Sequence, residues 1–179
     1  MEILDLKEAK PASYPVWPIG LSPAASALNS DAIWQRIEAY TAHRWTDREA
    51  VWVVEGPGCF EPNLTPATIT GMDLWQSDIW QPVTLAPSPL GGLVLPSVGP
   101  YRFTADVGGG TVPVIVNEAF RRLAEYLREV GNECVPGAQE TSIDLGGALS
   151  TREVRSPQWI ARAMDQSGAA DLLRPYRRA

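Results

Sequence analysis

The chain is poor in the residues that carry most enzyme chemistry. It has a single histidine, His43, and two cysteines, Cys59 and Cys134, among 179 residues. One histidine cannot form a multi-histidine metal cluster, and the cysteine spacing matches neither a metal motif nor a disulfide framework. No Ser/His/Asp or Cys/His arrangement is indicated around the lone histidine, which we expect to be solvated. We therefore predict that the protein is not an enzyme and holds no metal or cofactor.

Long apolar runs and nucleotide-binding motifs are also missing. No apolar run reaches the roughly 18 residues of a membrane-spanning helix, and the first ten residues, MEILDLKEAK, are too charged for a secretory signal peptide. We expect no membrane association and synthesis in a reducing, cytosolic compartment. The three glycines at 108–110 precede Thr-Val-Pro rather than the Lys-Ser/Thr of a phosphate-binding loop. We interpret them as a flexible hinge.

Charge is present but unevenly distributed. The net charge is −6. Residues 152–179 hold six arginines against three acidic residues, whereas residues 1–151 hold nine basic against eighteen acidic residues. An acidic body argues against general nucleic-acid binding, which needs clustered positive charge. A basic tail suits docking on an acidic protein surface.

The stretch 112–130 has the clearest periodicity and predicts the central helix. Its apolar residues recur at spacings of three and four and define one buried face: Val112, Ile115, Val116, Ala119, Phe120, Leu123, Leu127 and Val130. The pairs Glu118–Arg122 and Arg121–Glu125 have the spacing of helical salt bridges. Thr111 is the candidate N-cap, and Gly131 is the candidate residue that ends the helix.

The remaining pattern predicts an α+β fold with a small helical core of two main helices, an inserted antiparallel sheet and a C-terminal helical arm. Asn29 or Ser30 caps a helix over 31–43, and strands are predicted at 51–54, 67–75, 79–85, 93–95 and 101–107. We divide the chain into a proline-rich N-terminal extension (1–29), a body (30–130), a loop or β-hairpin (131–155) and a C-terminal arm (156–179). Within the third region, strands are predicted near 142–145 and 148–152. Within the arm, Gly168 is the candidate residue that ends the helix.

Two other features leave alternatives open. Seven tryptophans could stack on sugars, although their scatter along the chain favours core and interface packing. The extension contains four prolines between Pro11 and Pro23, together with apolar residues. We expect it to lie on the domain or on a neighbouring chain, with a proline-rich ligand for an aromatic groove as the alternative. A monomeric β-rich module that binds carbohydrate or peptide is the alternative function.

Three stretches resemble the head–tail connector (adaptor) proteins of long-tailed bacteriophages and gene transfer agents. They are IEAYTAHRWTDREAVWVVEG, then PLGGLVLPSVGPYRFTADVGGG with VPVIVNEAFRRLAEYL, and finally SPQWIARAMDQSGAADLLRPYRRA. LLRPYR is the most specific motif. The resemblance covers about residues 30–130 and 156–179, and residues 1–29 and 131–155 depart from it.

The resemblance implies a structural virion protein of the neck, assembled in the bacterial host cytoplasm. Its partners would be the portal protein, the next neck or tail-completion protein, and itself in a dodecameric ring through which genome DNA passes without specific binding. The C-terminal arm would bind the portal, with leucines and a tyrosine as anchors and arginines facing portal carboxylates. The implied portal-binding residues are Trp159, Leu172, Leu173, Arg174, Pro175, Tyr176, Arg177 and Arg178.

Overall fold

The computed structural model describes residues 1–89, 91–133, 140–144, 150–154 and 160–177. The strands are β1 (Glu2–Glu8), β2 (Arg48–Phe60), β3 (Ala67–Gln76), β4 (Ile79–Pro82), β5 (Leu93–Val107), β6 (Glu140–Asp144) and β7 (Ser150–Val154). The helices are α1 (Ser30–Thr41), α2 (Val114–Glu133), α3 (Ala163–Gln166) and α4 (Ala169–Leu173). This is the α+β composition that the sequence predicts.

The described residues divide into two compact units. The sheet unit comprises residues 1–15 and 42–111, and the helical unit comprises residues 16–41 and 112–177. In the sheet unit, five antiparallel strands lie in the order β1-β2-β5-β3-β4. Strands β6 and β7 form a separate two-stranded antiparallel hairpin close to the predicted strand pair.

The core of the sheet unit is aromatic. Tyr101, Phe103, Ala105 and Val107 alternate along β5 and are almost completely buried, as predicted. Phe60 stacks on Phe103 with ring centroids 4.3 Å apart. The indole nitrogen of Trp52 donates to the side-chain oxygen of Asn63 at 2.8 Å, so this buried polar group is satisfied.

Two strands are longer than predicted. Strand β5 runs without interruption from Leu93 to Val107 and includes both predicted strands of that region. Strand β2 extends through residues 56–60, which their Gly and Pro content predicts as a loop. A register shift between Gly56 and Gly58 lets the strand pass these residues. A second shift between Ile69 and Gly71 is the bulge that Gly71 predicts.

The start of the chain is part of the sheet. Strand β1 pairs with β2 as an edge strand, whereas the sequence predicts only an extended segment there. Its Glu8 carboxylate accepts hydrogen bonds from Arg44 at 2.6 and 2.9 Å and from Arg48 at 2.9 Å. These charge-assisted contacts fix the end of β1 to the unit.

The helical unit is built around α2. Its buried face contains Val116, Ala119, Phe120 and Leu123, each 0% exposed, as the periodicity predicts, whereas Ile115, predicted on the same face, is 39% exposed. Trp34 of α1 packs against Phe120 with ring centroids 4.9 Å apart. Helix α1 begins as predicted, because Asn29 Oδ1 accepts hydrogen bonds from the backbone of residues 31 and 32.

The ends and surface pairs of α2 differ in part from prediction. Thr111 lies before the helix, because the Pro113 carbonyl accepts the first helical hydrogen bonds. The helix continues through Gly131 to Glu133. The Glu118–Arg122 pair forms at 2.8 Å, but Arg121 also binds Glu118 at 2.8 Å instead of forming the predicted ion pair with Glu125. The Glu125 carboxylate instead accepts hydrogen bonds from the backbone nitrogen and hydroxyl of Ser22.

The turn over residues 108–110, which the sequence predicts to be a flexible hinge, needs glycine at two positions for steric reasons. Gly108 has φ +100°, and a Cβ there would lie 2.2 Å from the Thr46 carbonyl oxygen. A Cβ on Gly109 would lie 2.2 Å from Asp47 Oδ1. These glycines are required because backbone and side-chain atoms of residues 46 and 47 approach them closely.

Candidate interaction surfaces

The C-terminal segment, residues 160–177, consists of short helices in the helical unit. Helices α3 and α4 are separated by Gly168, whose left-handed φ of +70° allows the sharp change of direction at which the sequence predicts a helix end. A 3-10 turn over Arg174–Tyr176 follows α4 and contains Pro175. Short helical turns therefore continue to Tyr176, next to the last described residue.

This segment packs mainly on α2. Leu173 and Ala169 are 0% exposed, and Ala163 and Met164 are also buried. The Tyr126 hydroxyl donates to the side-chain oxygen of Gln166. Residues 160–177 of the predicted arm therefore contribute buried apolar side chains to the helical unit.

The end of the segment presents positive charge to solvent. Arg174, Pro175 and Arg177 are exposed, while Leu172 and Tyr176 are half-buried. The Arg177 guanidinium carbon lies 5.1 Å from the centre of the Tyr40 ring, a cation–π contact that keeps the charge accessible. Exposed arginines of this kind can form paired hydrogen bonds with carboxylates.

The predicted portal-binding residues thus fall into three groups. Arg174, Pro175 and Arg177 lie together on the surface, with Leu172 and Tyr176 partly accessible beside them. Leu173 points into the helical unit. Trp159 and Arg178 lie outside the described residues.

A second surface, which sequence reasoning did not identify, is a tryptophan pair on the β3–β4 hairpin. Trp75 and Trp80 are cross-strand partners with ring centroids 5.1 Å apart and an interplanar angle of 62°. The Arg102 guanidinium carbon lies 4.7 Å from the Trp80 centroid and is held by Asp73, whose Oδ2 accepts hydrogen bonds at 3.0 and 2.8 Å. The sequence feature that could have identified this pair is the turn at Ser77–Asp78, because a two-residue hairpin turn there places residue 75 opposite residue 80.

Two groups of paired charges stabilise the units, and neither indicates a catalytic site. Burial alone would raise the pKa of Glu8, but hydrogen bonds and positive charge from Arg44 and Arg48 lower it overall. Hydrogen bonds from Arg121 and Arg122 lower the pKa of Glu118 to about 2. Both carboxylates are ionised and paired at neutral pH.

His43 is half-buried rather than solvated as predicted. Its ring lies 4.6 Å from that of Trp45. Burial, and then the charge of Arg44, lower the pKa of His43 below its usual value, which favours the neutral imidazole. Within the described ranges, no three His, Cys, Asp or Glu side chains are grouped closely enough to hold a metal ion. No helix in the same ranges is long and apolar enough to cross a membrane.

Comparison with solved structures identifies the fold. No protein-family model matches the chain, and no curated protein matches it either. A chain from the neck of an empty gene transfer agent (GTA) particle, computed with C6 symmetry, matches with a TM-score of 0.55 and 18% identity over 98% of this chain and 96% of that chain. This chain therefore shares the fold of a GTA neck chain.

Two further matches have lower scores. A chain from the virion of a native GTA particle matches with a TM-score of 0.49 and 17% identity over 97% of this chain and 95% of that chain. A chain from the neck of a native GTA particle, computed with C12 symmetry, matches with a TM-score of 0.47 and 17% identity over 84% of this chain and 80% of that chain.

Proposed function

We propose that this chain is a head–tail connector (adaptor) subunit, a structural virion protein that forms a ring in the neck between the portal and the next neck or tail protein. The observation that carries the proposal is the fold shared with a GTA neck chain, which includes both the sheet unit and the helical unit. The resemblance of residues 30–130 and 156–179 to adaptor proteins supports the same role independently of the coordinates.

The charge distribution suits such a ring. Residues 1–151 carry twice as many acidic as basic residues. An acidic channel wall would repel DNA phosphates and let the genome pass without binding. In this proposal the ring has twelve copies, the portal lies above it, and the next neck or tail-completion protein lies below.

We assign portal attachment to the C-terminal segment. The exposed Arg174, Pro175 and Arg177 can meet portal carboxylates directly, and Leu172 and Tyr176 can add apolar contact at their accessible edges. Leu173 can contribute only if the segment leaves α2, because the side chain is fully buried there. Trp159 and Arg178 complete the proposed set.

The ring is tested by mixing the purified protein with the portal protein encoded in the same genome. We expect native mass spectrometry to detect a complex with about one copy of this chain per portal subunit, and negative-stain images to show a ring on one end of the portal. A monomer that ignores the portal contradicts the proposal and favours the alternative, a β-rich binding module.

Portal attachment by the C-terminal segment is tested by reversing one charge. Arg174→Glu changes an exposed side chain, so we expect an unchanged melting temperature and at least tenfold weaker portal binding. Arg162→Glu is the matched control, because Arg162 is also exposed and lies in the same segment but outside the proposed set. Equal binding by both variants would contradict the assignment.

A further inference from the structure

The proline segment, residues 15–21, is the most exposed apolar stretch of the described chain. Ile19 is 101% exposed, Val16 is 84% exposed and Trp17 is 42% exposed. Pro15 and Pro18 favour extended backbone at residues 14–18, and a turn at Ile19 and Gly20 follows. The segment carries no charge, so a partner could bury it without removing an ion from water.

Contacts on each side restrain the proline segment. Before it, Tyr14 lies under the Arg48 guanidinium, with the guanidinium carbon 5.7 Å from the ring centre. After it, the Ser22 backbone nitrogen and hydroxyl donate to the Glu125 carboxylate at 2.7 and 2.8 Å. The residues next to the proline segment are thus held by a contact within the sheet unit before it and by hydrogen bonds within the helical unit after it.

The tryptophan pair has the composition of an interface centre. Trp75 is 39% exposed, and the neighbouring Ile79 is 56% exposed. Strand β4 is an edge strand, so the hairpin has no further strand beside it in the sheet. Tryptophan and arginine dominate binding energy in measured interfaces. Here the Arg102 charge is already neutralised by Asp73, which reduces the desolvation cost of covering it.

The two surfaces fit each other chemically. Proline-rich extended segments dock on grooves lined by aromatic rings, because the rigid segment pays little entropy and its apolar rings pack on flat aromatic faces. A ring with rotational symmetry needs a heterologous contact, in which two different surfaces of each copy meet. One copy of this chain carries both surfaces exposed.

We infer that neighbouring copies in the ring join through the proline segment of one copy and the tryptophan pair of the next. This inference rests on the proposed connector function, which supplies the ring. The partner of the tryptophan pair is then a second copy of this chain rather than the portal or a carbohydrate.

Variants of each surface test the contact. The donor variant, Val16→Ser/Ile19→Ser, alters the proline segment. The acceptor variant, Trp75→Ser, alters the tryptophan pair. Ile79→Ser is a second acceptor variant, and it changes a side chain that is more exposed than Trp75. Native mass spectrometry in the presence of portal protein counts the copies bound to each portal. We expect wild-type protein to fill the portal with complete rings. Each variant alone should leave the portal incompletely filled, because attachment through the C-terminal segment remains while the contact between neighbouring copies is lost, and its melting temperature shows that it is folded.

The mixture of the two variants is the decisive sample. The intact proline segment of an acceptor variant can bind the intact tryptophan pair of a donor variant. The surfaces that remain free on this pair of copies are the two altered ones, so no third copy can bind. For the mixture without portal protein we therefore expect dimers and no larger species. Complete rings formed on the portal by either variant alone, or a mixture that stays monomeric, would overturn the inference. Absence of rings from the wild-type sample would instead overturn the proposed function.

A disulfide test addresses the contact directly. In a Cys59→Ser/Cys134→Ser background, Ile19→Cys together with Ile79→Cys should give a ladder of cross-linked oligomers on mild oxidation of portal-bound protein. The control replaces Ile79→Cys with Leu4→Cys, because Leu4 is 53% exposed but lies on β1, at the opposite edge of the same sheet. Ladders of equal yield from both pairs, or from the control alone, would contradict the proposed contact.

Discussion

Glu8 shows how individual residues hold the sheet unit together. Its carboxylate joins β1 to Arg44 and Arg48, whose side chains are only 11% and 4% exposed. Removing the carboxylate would leave two largely buried guanidinium groups without this partner. Loss of one member of such a group typically costs several kcal/mol, because the remaining desolvated charges lose part of their compensation.

We predict that Glu8→Gln lowers the free energy of unfolding by about 2–4 kcal/mol at pH 7. The pKa of Glu8 is lower in the folded state than its usual value of 4.5. The stabilisation is therefore complete above pH 4.5 and is lost as the pH falls through the folded-state pKa. Denaturant melts across this range should show a steeper acid loss for wild type than for Glu8→Gln.

The control for that series is Glu2→Gln, since Glu2 lies on the same strand but is exposed. It should follow the wild-type curve at every pH. If Glu8→Gln also follows that curve, the Glu8–Arg44–Arg48 contacts do not contribute to stability.

Leu173 distinguishes a packed C-terminal segment from a detached one. Because its side chain is 0% exposed, we predict that Leu173→Ala lowers the free energy of unfolding by about 2–5 kcal/mol. Leu172→Ala, next to it and half-buried, should cost less than half as much. Chemical denaturation of both variants makes the comparison, and equal small losses would show that residues 160–177 stand away from α2 in solution.

At the level of elements, the turn over residues 108–110 shows which glycines the fold requires. Gly108 and Gly110 have similar φ values of +100° and +92°, but only Gly108 has an atom within 4 Å of the Cβ position. The two positions therefore separate backbone strain from steric overlap. This makes them a matched pair for substitution.

We predict that Gly110→Ala costs about 1–3 kcal/mol through backbone strain alone. Gly108→Ala should cost about 1–3 kcal/mol more, because its Cβ meets the Thr46 carbonyl oxygen. Thermal melts of the two variants measure the difference. Two nearly neutral substitutions would restore the flexible hinge that the sequence suggests.

Elements with strong periodicity could be predicted from the sequence, and elements defined by distant partners could not. The face of α2 around Phe120 and the alternation along Tyr101–Val107 follow from spacing alone. The second half of β2 could not be predicted, because Gly56 and Pro57 have the composition of a turn. Gly56 is needed there for close approach, since a Cβ would lie 2.4 Å from the Ser97 carbonyl oxygen.

The interaction surfaces could likewise be predicted from the sequence only in part. The basic character of the chain end is visible in the sequence, so Arg174 and Arg177 could be identified as exposed cations. The burial of Leu173 could not, because an apolar residue in a short helix does not reveal which element it covers. The tryptophan pair depends on hairpin register, which places Trp75 opposite Trp80.

At the scale of the whole molecule, the uneven charge leads to a prediction about DNA. The proposed channel needs a surface that DNA slides past, and residues 1–151 hold eighteen acidic against nine basic residues. We therefore expect negligible binding to labelled duplex DNA in fluorescence anisotropy at about 0.15 M salt. Micromolar binding that weakens steeply with added salt would reveal a basic face and contradict the proposed channel.

The central claim is that this chain forms a ring in the particle neck. The most direct measurement is a cryo-electron microscopy reconstruction of the neck in particles made by the host that encodes the chain. We expect a ring of density directly beneath the portal into which the sheet and helical units fit, with C-terminal segments against the portal. Particles whose neck lacks this chain, or that carry it elsewhere, would show that the proposed function is wrong.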